Sequence, residues 1–221
     1  MKKILTILFL TLFTGASYAE ISFGISGALT RIDASGSEVE GGETNSKEVT
    51  NDTIIPSVFA EKGITDRITI GLDYIPIDAD VSDKTHSRSD TETSVTGTKT
   101  TTSTSRTQTA DAELADHITL YADINLNDDV YLKVGAVQVD LNTQESLETG
   151  SVYGNETIDG KLIGFGFRRD TSVGKYMKIE FIYTDYDDVS LTSSVARTGV
   201  TTNNTISADL DTTAIKISYA F

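Results

Sequence analysis

His117 and Thr119 are the side chains best placed to do chemistry in this chain. They sit two apart in a segment of alternating polarity, Ala112 to Asn125, so on a strand both point to one face. An imidazole beside a hydroxyl is the pairing that strips a proton from a nucleophilic oxygen and starts acyl transfer. Such a pair needs a third group to orient the imidazole. Asp116 cannot do it, because neighbours on a strand point to opposite faces. Without that partner the pair reads as an interior polar contact. The other histidine, His86, lies in a polar loop and reads as solvated. With no cysteine there is neither a thiolate metal site nor a disulfide framework.

Other candidate sites are weaker. Asp123-Ile-Asn-Leu-Asn127-Asp-Asp129 opens like a calcium-binding loop, but its sixth position is Asp128 rather than Gly and its twelfth is Val134 rather than Glu. It reads as a turn. Gly164-Phe-Gly166 lacks the third glycine of a dinucleotide loop and falls inside a strand, where it gives backbone spacing. Asp185, Asp187 and Asp188 offer oxygens for a divalent cation, though a solvated acidic rim is the plainer reading. No metal or cofactor is expected, and the chain is not expected to be an enzyme.

The elements that position these residues are strands. The last ten residues set the pattern: Ile215, Ile217, Tyr219 and Phe221 share one face, and Ala214, Lys216, Ser218 and Ala220 the other. Similar alternation recurs in eight segments: Glu20–Ile32, Thr53–Gly63, Arg67–Ile77, Ala112–Asn125, Asp129–Leu141, Ile158–Arg169, Lys175–Asp187 and a last strand after Asn204. The connections run long, short, long, short, long, short, long. The Thr/Ser-rich stretch Asp78–Thr109 is low-complexity, and its strand propensity allows either a hairpin or disorder.

Parity fixes the faces. Lys133, Arg168, Lys178 and Lys216 all share the polar parity, near mid-strand. A Lys or Arg on a lipid face at the bilayer midplane costs roughly 2–4 kcal/mol. The polar face is therefore the inside of a closed barrel, and the apolar face meets lipid. Glu61, Arg67, Asp73, His117, Tyr121, Asp123, Lys133, Arg168, Lys178, Glu180 and Lys216 are the expected interior polar set. Gly63 is expected to pair with Arg67, which sets Phe59 across from Gly71. Ile124 is expected to face Val130, with Tyr121 opposite Lys133. Pro56 and Pro76 then fall at outer strand ends, and interior Ser22, Gly24, Ser26, Gly71, Gly135, Gly164 and Gly166 leave some space.

Composition and termini agree. Lys2, Lys3, the apolar run Ile4–Phe13 and the small residues of Ser17-Tyr-Ala19 form a secretory leader, expected to be cut after Ala19. Residue 20 is Glu rather than Cys, so no lipoprotein anchor is expected. Without Lys2 and Lys3 the chain carries 16 basic and 33 acidic groups, a net of −17. That charge disfavours nucleic acid as a partner. Nothing after residue 19 approaches the ~18 apolar residues of a spanning helix, which is also how a barrel strand pattern reads.

The terminal Ile215-x-Ile217-x-Tyr219-x-Phe221, the signal at the other end and the eight-strand pattern over residues 20–221 resemble the small eight-stranded outer-membrane barrels: the OmpA transmembrane domain, OmpX, OmpW and the opacity-type proteins. The resemblance implies an all-β, eight-stranded antiparallel up-and-down transmembrane barrel in a Gram-negative outer membrane. Short periplasmic turns and long external loops go with it. It also implies Sec export, periplasmic chaperones, contact with outer-membrane lipids, and Ile215, Ile217, Tyr219 and Phe221 as a signal to the barrel-assembly machinery. With nothing after Phe221, no peptidoglycan-binding domain is expected. The first expectation for function is a non-enzymatic structural and surface-interaction barrel, and the second a narrow porin-like channel. The third, a lipid A acyl hydrolase, rests on a His and a Ser spaced as His117 and Thr119 are, with Thr in place of Ser.

Overall fold

The computed structural model describes residues 21–40, 43–96, 100–146, 152–195 and 202–221. The leader expected over residues 1–19 lies outside them. Among the described residues twelve strands form: β1 (Ile21–Glu40), β2 (Glu43–Thr65), β3 (Ile68–Tyr74), β4 (Ala79–Asp80), β5 (His86–Thr96), β6 (Thr100–Ala110), β7 (Ala112–Asn125), β8 (Val130–Thr143), β9 (Glu156–Ser172), β10 (Lys175–Tyr186), β11 (Val189–Thr192) and β12 (Thr205–Ala220). Eight of them, β1, β2, β3, β7, β8, β9, β10 and β12, are paired antiparallel in that order, and β12 returns to β1. The closing ladder runs from Gly24 opposite Ala220 to Val39 opposite Thr205, and the Phe221 amide donates to the Phe23 carbonyl at 2.9 Å. Closure pairs the first and last strands of the ring, so neither presents the open edge that lipid could not satisfy.

Burial is inverted relative to a water-soluble sandwich. Phe23, Ile25, Leu29, Phe165, Phe167, Ile179, Phe181, Ile215 and Ile217 are exposed around the outer wall, while Glu61, Asp123, Lys133, Lys178 and Glu180 are buried. Phe165 and Phe181 stack across the β9–β10 ladder with centroids 5.0 Å apart. Strand alternation alone produces this sorting.

Four expectations are corrected. The segment Asp33–Asp52 is mostly ladder, because β1 and β2 continue to Glu40 and Glu43. Cross-strand pairs hold it: Arg31 Nε meets Asp52 Oδ1 at 2.8 Å, and Thr50 Oγ1 donates to Asp33 Oδ1 at 2.6 Å. The β2–β3 register differs by two residues from expectation, with Glu61 opposite Gly71 and Phe59 opposite Asp73. The turn is tighter than expected, with Thr65 opposite Ile68 and Thr65 Oγ1 accepting from the Arg67 and Ile68 amides. The β7–β8 register also moves by two residues, with Asn127 Oδ1 accepting from the Asp129 and Val130 amides in the turn, so Tyr121 faces Gly135 and Asp123 faces Lys133. An even slip preserves the faces, so the sorting survives. Finally, Pro56 lies inside β2, opposite Gly27, two residues past the last β2–β3 pair at Val58. There β2 keeps only its β1 ladder among the described pairs, so a missing donor is tolerated.

The Thr/Ser-rich segment forms the β5–β6 hairpin as a sheet of its own.

Candidate functional site

The interior splits into two levels. The level nearer the short turns is ionic. β2 contributes Glu61, β7 Tyr121 and Asp123, β8 Tyr131 and Lys133, and β10 Tyr176, Lys178 and Glu180. Lys178 Nζ contacts Glu61 Oε1 and lies 2.9 Å from Asp123 Oδ2. Lys133 Nζ lies 2.8 Å from Glu180 Oε1 and 3.3 Å from the centre of the Tyr121 ring. The phenols complete the set: Tyr121 donates to Glu61 Oε1 at 2.7 Å, Tyr176 to Glu61 Oε2 at 2.7 Å, and Tyr131 to Glu180 Oε1 at 2.8 Å. These groups lie across the lumen. Buried ions are tolerated only when paired in this way.

Three glycines make room for the rings. A Cβ on Gly24, Gly71 or Gly166 would collide with Phe59, Tyr121 or Tyr131 respectively. Three of the interior glycines expected to leave space are therefore filled by aromatic rings from neighbouring strands. Tyr131 and Tyr176, absent from the expected set, precede Lys133 and Lys178 by two residues, and the same parity places them inside.

The other expected residues separate. Lys216 Nζ pairs with Asp73, whose Oδ2 also accepts from Ser57 Oγ at 3.0 Å. Arg168 sits at the mouth, stacked 3.7 Å from the Tyr176 ring centre, and it pairs with Asp170, two residues on in β9. Arg67 is not interior. It is exposed in the turn before β3, which the tight turn carries past the end of the barrel. Ile215, Ile217, Tyr219 and Phe221 line the outer wall.

Comparison with solved structures finds many neighbours, OprG and AlkL among them. The outer membrane protein OprG from Pseudomonas aeruginosa aligns with 90% of this chain and 96% of its own, at TM-score 0.53 and 10% identity. The outer membrane protein AlkL in lipid bilayers aligns with 94% of this chain and 93% of its own, at TM-score 0.50 and 12% identity. The chain has the fold of the small outer-membrane β-barrels. No family model matches the sequence, and no curated protein does either.

Above the ionic level the barrel interior turns apolar. Ile32, Leu114, Val137, Val139, Leu141, Ile158, Leu162, Tyr186, Leu210 and their neighbours pack into one cluster. A cavity of about 80 Å³ opens beneath them, lined by Ile32, Ile55, Leu114, Leu162 and Ile182 among others, with Asp73 and Lys216 also on its wall. Leu114 and His117 both line it although they are three residues apart. A bulge between Ala115 and Ile118, with Asp116 at φ 50°, resets the parity. His117 Nε2 pairs with the Tyr186 hydroxyl at 3.0 Å, so the imidazole is not committed to Thr119. His86 opens β5, its Nε2 3.0 Å from Ser82 Oγ. No metal-binding group of three or more His, Cys, Asp or Glu occurs among the described residues.

At the loop end, Glu38 gathers partners. Arg88 Nη1 lies 2.8 Å from its Oε2, Asn204 Nδ2 3.3 Å from its Oε1, and the Tyr153 hydroxyl donates to the same Oε1. Burial, reinforced by that hydrogen bond, pushes the Tyr153 phenol well above the usual range.

Proposed function

We propose that this chain is a non-enzymatic barrel of a Gram-negative outer membrane that closes its own lumen and presents loops outside. The observation that carries this is the ionic cluster of Glu61, Asp123, Lys133, Lys178 and Glu180 across the interior. Eight strands leave an interior just wide enough for side chains to fill, and at this level paired ions with phenolic caps occupy it. The exposed apolar wall supports lipid as the surrounding medium, and the β1–β2 extension and the β5–β6 hairpin supply the presented surface. Residues 1–19 would direct export, with chaperones holding the chain in the periplasm. Ile215, Ile217, Tyr219 and Phe221 would serve as the assembly signal. His117 and Thr119 carry no hydrolytic role in this reading, since the imidazole is paired with Tyr186.

Planar-bilayer recordings test the closed lumen. The wild-type protein should give no steady unitary current at neutral pH, and reproducible unitary steps would replace this reading with the channel. Lipid profiling tests the absence of enzymatic activity: cells carrying His117→Ala should keep the lipid A acylation pattern of wild type.

A further inference from the structure

Gln138 is out of place on the outer wall. Its parity is that of Leu132, Val134 and Ala136, which face outward on β8, and the β8–β9 ladder runs past it without a shift. Yet Gln138 is only 8% exposed, and its Oε1 is buried with no hydrogen-bond partner among the described residues. Turning the amide round does not cure this. Nε2 donates to Asp159 Oδ1 at 2.8 Å, and a carboxylate only accepts, so the nitrogen stays on that side. Buried carbonyls in native structures are nearly all satisfied, so the missing donor is to be sought outside the chain.

The ladder gives that donor its charge and its orientation. Val134 lies opposite Ile163, Ala136 opposite Lys161, and Gln138 opposite Asp159. From the lipid belt towards the loops the wall is therefore apolar, then cationic, then acidic. Lys161 is exposed and makes no ion pair among the described residues, although Asp185 lies opposite it on β10. Its stem can lie along Ile163 with the ammonium at the interface. One step further out is Asp140, whose Oδ1 accepts from Thr157 Oγ1 at 2.6 Å.

We propose that this strip of β8 and β9 is a headgroup site for a phosphoethanolamine phospholipid, with the phosphate on Lys161 and the ammonium on Gln138 Oε1 and Asp159. The inference rests on the reading of the outer wall as lipid-facing. Polarity carries the match. In the loop-side leaflet such a lipid presents acyl chains, then phosphate, then ammonium, and Ile163, Lys161 and Asp159 complement that order. Lys161 and Asp159 are two residues apart on one face, about 7 Å along the strand, which a two-carbon linker and the reach of both side chains span. A primary ammonium has three N–H donors, so it serves Gln138 Oε1 and a carboxylate together. A quaternary ammonium carries the charge but no donor. A headgroup of phosphate alone would meet Asp159, Asp140 and Asp185 as like charges.

The test uses the full barrel in phosphatidylcholine nanodiscs with side-chain-labelled glutamine, of which the chain has three: Gln108, Gln138 and Gln144. Phosphatidylethanolamine with the same acyl chains should shift the Gln138 amide saturably and leave the other two in place. Phosphatidylglycerol should leave all three in place. Native mass spectrometry of the released barrel should find the ethanolamine lipid retained over the choline lipid by about tenfold, the ratio expected for one hydrogen bond to a charged donor. Gln138→Leu should lower that ratio several-fold. Lys161→Gln should lower retention of both lipids and keep the ratio, because both carry the phosphate. Lys175→Gln, at the turn-side rim, should change neither. The proposal is overturned if phosphatidylethanolamine leaves the Gln138 amide unmoved in the wild-type protein. It is equally overturned if the two lipids are retained alike, or if Gln138→Leu leaves the ratio unchanged; none of these results bears on the closed lumen. A barrel that does not enter the nanodisc at all would overturn the lipid-facing reading as well.

Discussion

The ring of Tyr121 occupies the space that a side chain on Gly71 would need: a Cβ built on Gly71, its partner across the β3–β7 ladder, would lie 2.5 Å from the phenol oxygen. That oxygen is the donor to Glu61, and the face of the same ring receives the Lys133 ammonium. One glycine therefore sets the position of a residue that touches both signs of the ion cluster. Gly71→Ala should cost about 1–3 kcal/mol through overpacking. Gly27, whose Cβ would meet nothing within 4 Å, is the control, and Gly27→Ala should stay within about 0.5 kcal/mol. Urea unfolding followed by circular dichroism compares them, and equal midpoints would contradict this packing.

Lys178 stands between three carboxylates, those of Glu61, Asp123 and Glu180. Lys178→Met removes the charge but keeps most of the volume, leaving Lys133 as the remaining ammonium against all three. Removing one partner of a buried ion pair costs about 3–5 kcal/mol. The variant should unfold at lower denaturant, and it should pass ions in bilayer recordings if repulsion opens the lumen. Arg67→Ala, on the exposed turn, should leave both measurements unchanged. A silent Lys178→Met would show that the cluster does not hold the barrel shut.

Much of this was legible in the sequence because a period of two needs no knowledge of partners. Lys133, Lys178, Glu61 and Asp123 are inside for the same reason that Phe181 and Ile217 are outside. What alternation does not encode is slip by an even number. Phe59 opposite Gly71 and Glu61 opposite Gly71 give the same faces, and the choice between them lies in how Thr65 caps its turn. The β7 bulge was hidden for a related reason: Asp116 at positive φ adds a residue that no periodicity announces. The outer extensions were missed because Thr, Ser and acidic residues read as loop, although β1 and β2 pair there through Arg31–Asp52 and Thr50–Asp33. The switch from an ionic to an apolar interior was in the parity all along, in Ile32, Val137, Val139 and Leu162.

Three aspartates lie in one row on the outer wall above the apolar belt: Asp33 of β1 and Asp185 of β10 are both paired across from Asp211 of β12. Partial burial, then Asp33 and Asp185, raises the Asp211 carboxyl above its ordinary value. A carboxyl whose folded pKa is raised binds its proton more tightly folded than unfolded. Its effect on stability is therefore most favourable below the unfolded pKa and declines as pH rises through the folded value. At neutral pH the row is a set of like charges directly opposed, each pair unfavourable by about 0.2–1 kcal/mol. Asp211→Asn should raise the unfolding midpoint at pH 7 and lose that advantage below about pH 4, near the unperturbed carboxyl. A gain that persists unchanged in acid would show that the cause is not charge.

Arg88 fastens the β5–β6 hairpin to the rest of the barrel. Its Nη1 lies 2.8 Å from Glu38 and its Nη2 2.7 Å from Glu40, both on the β1 extension, while Nε donates to Gln108 of β6 at 2.7 Å. One guanidinium thus bridges two elements that share no ladder, and Glu38 is itself braced by Tyr153 and Asn204. The bridge Thr109–Ser146 anchors only the far end of β6. Hydrogen bonds to charged groups contribute about 1.5–3 kcal/mol each, so losing this set shifts the open population of the hairpin by at least tenfold. Proteolysis of a segment follows that population when opening is fast. Arg88→Ala should therefore speed proteinase K cleavage within the hairpin about tenfold or more. The urea midpoint of the barrel should not move, because the eight-strand ring is untouched. Arg88→Lys, which keeps the charge but not the planar fork, should fall between. If the hairpin of Arg88→Ala is cleaved at the wild-type rate, other contacts hold it and Arg88 is incidental.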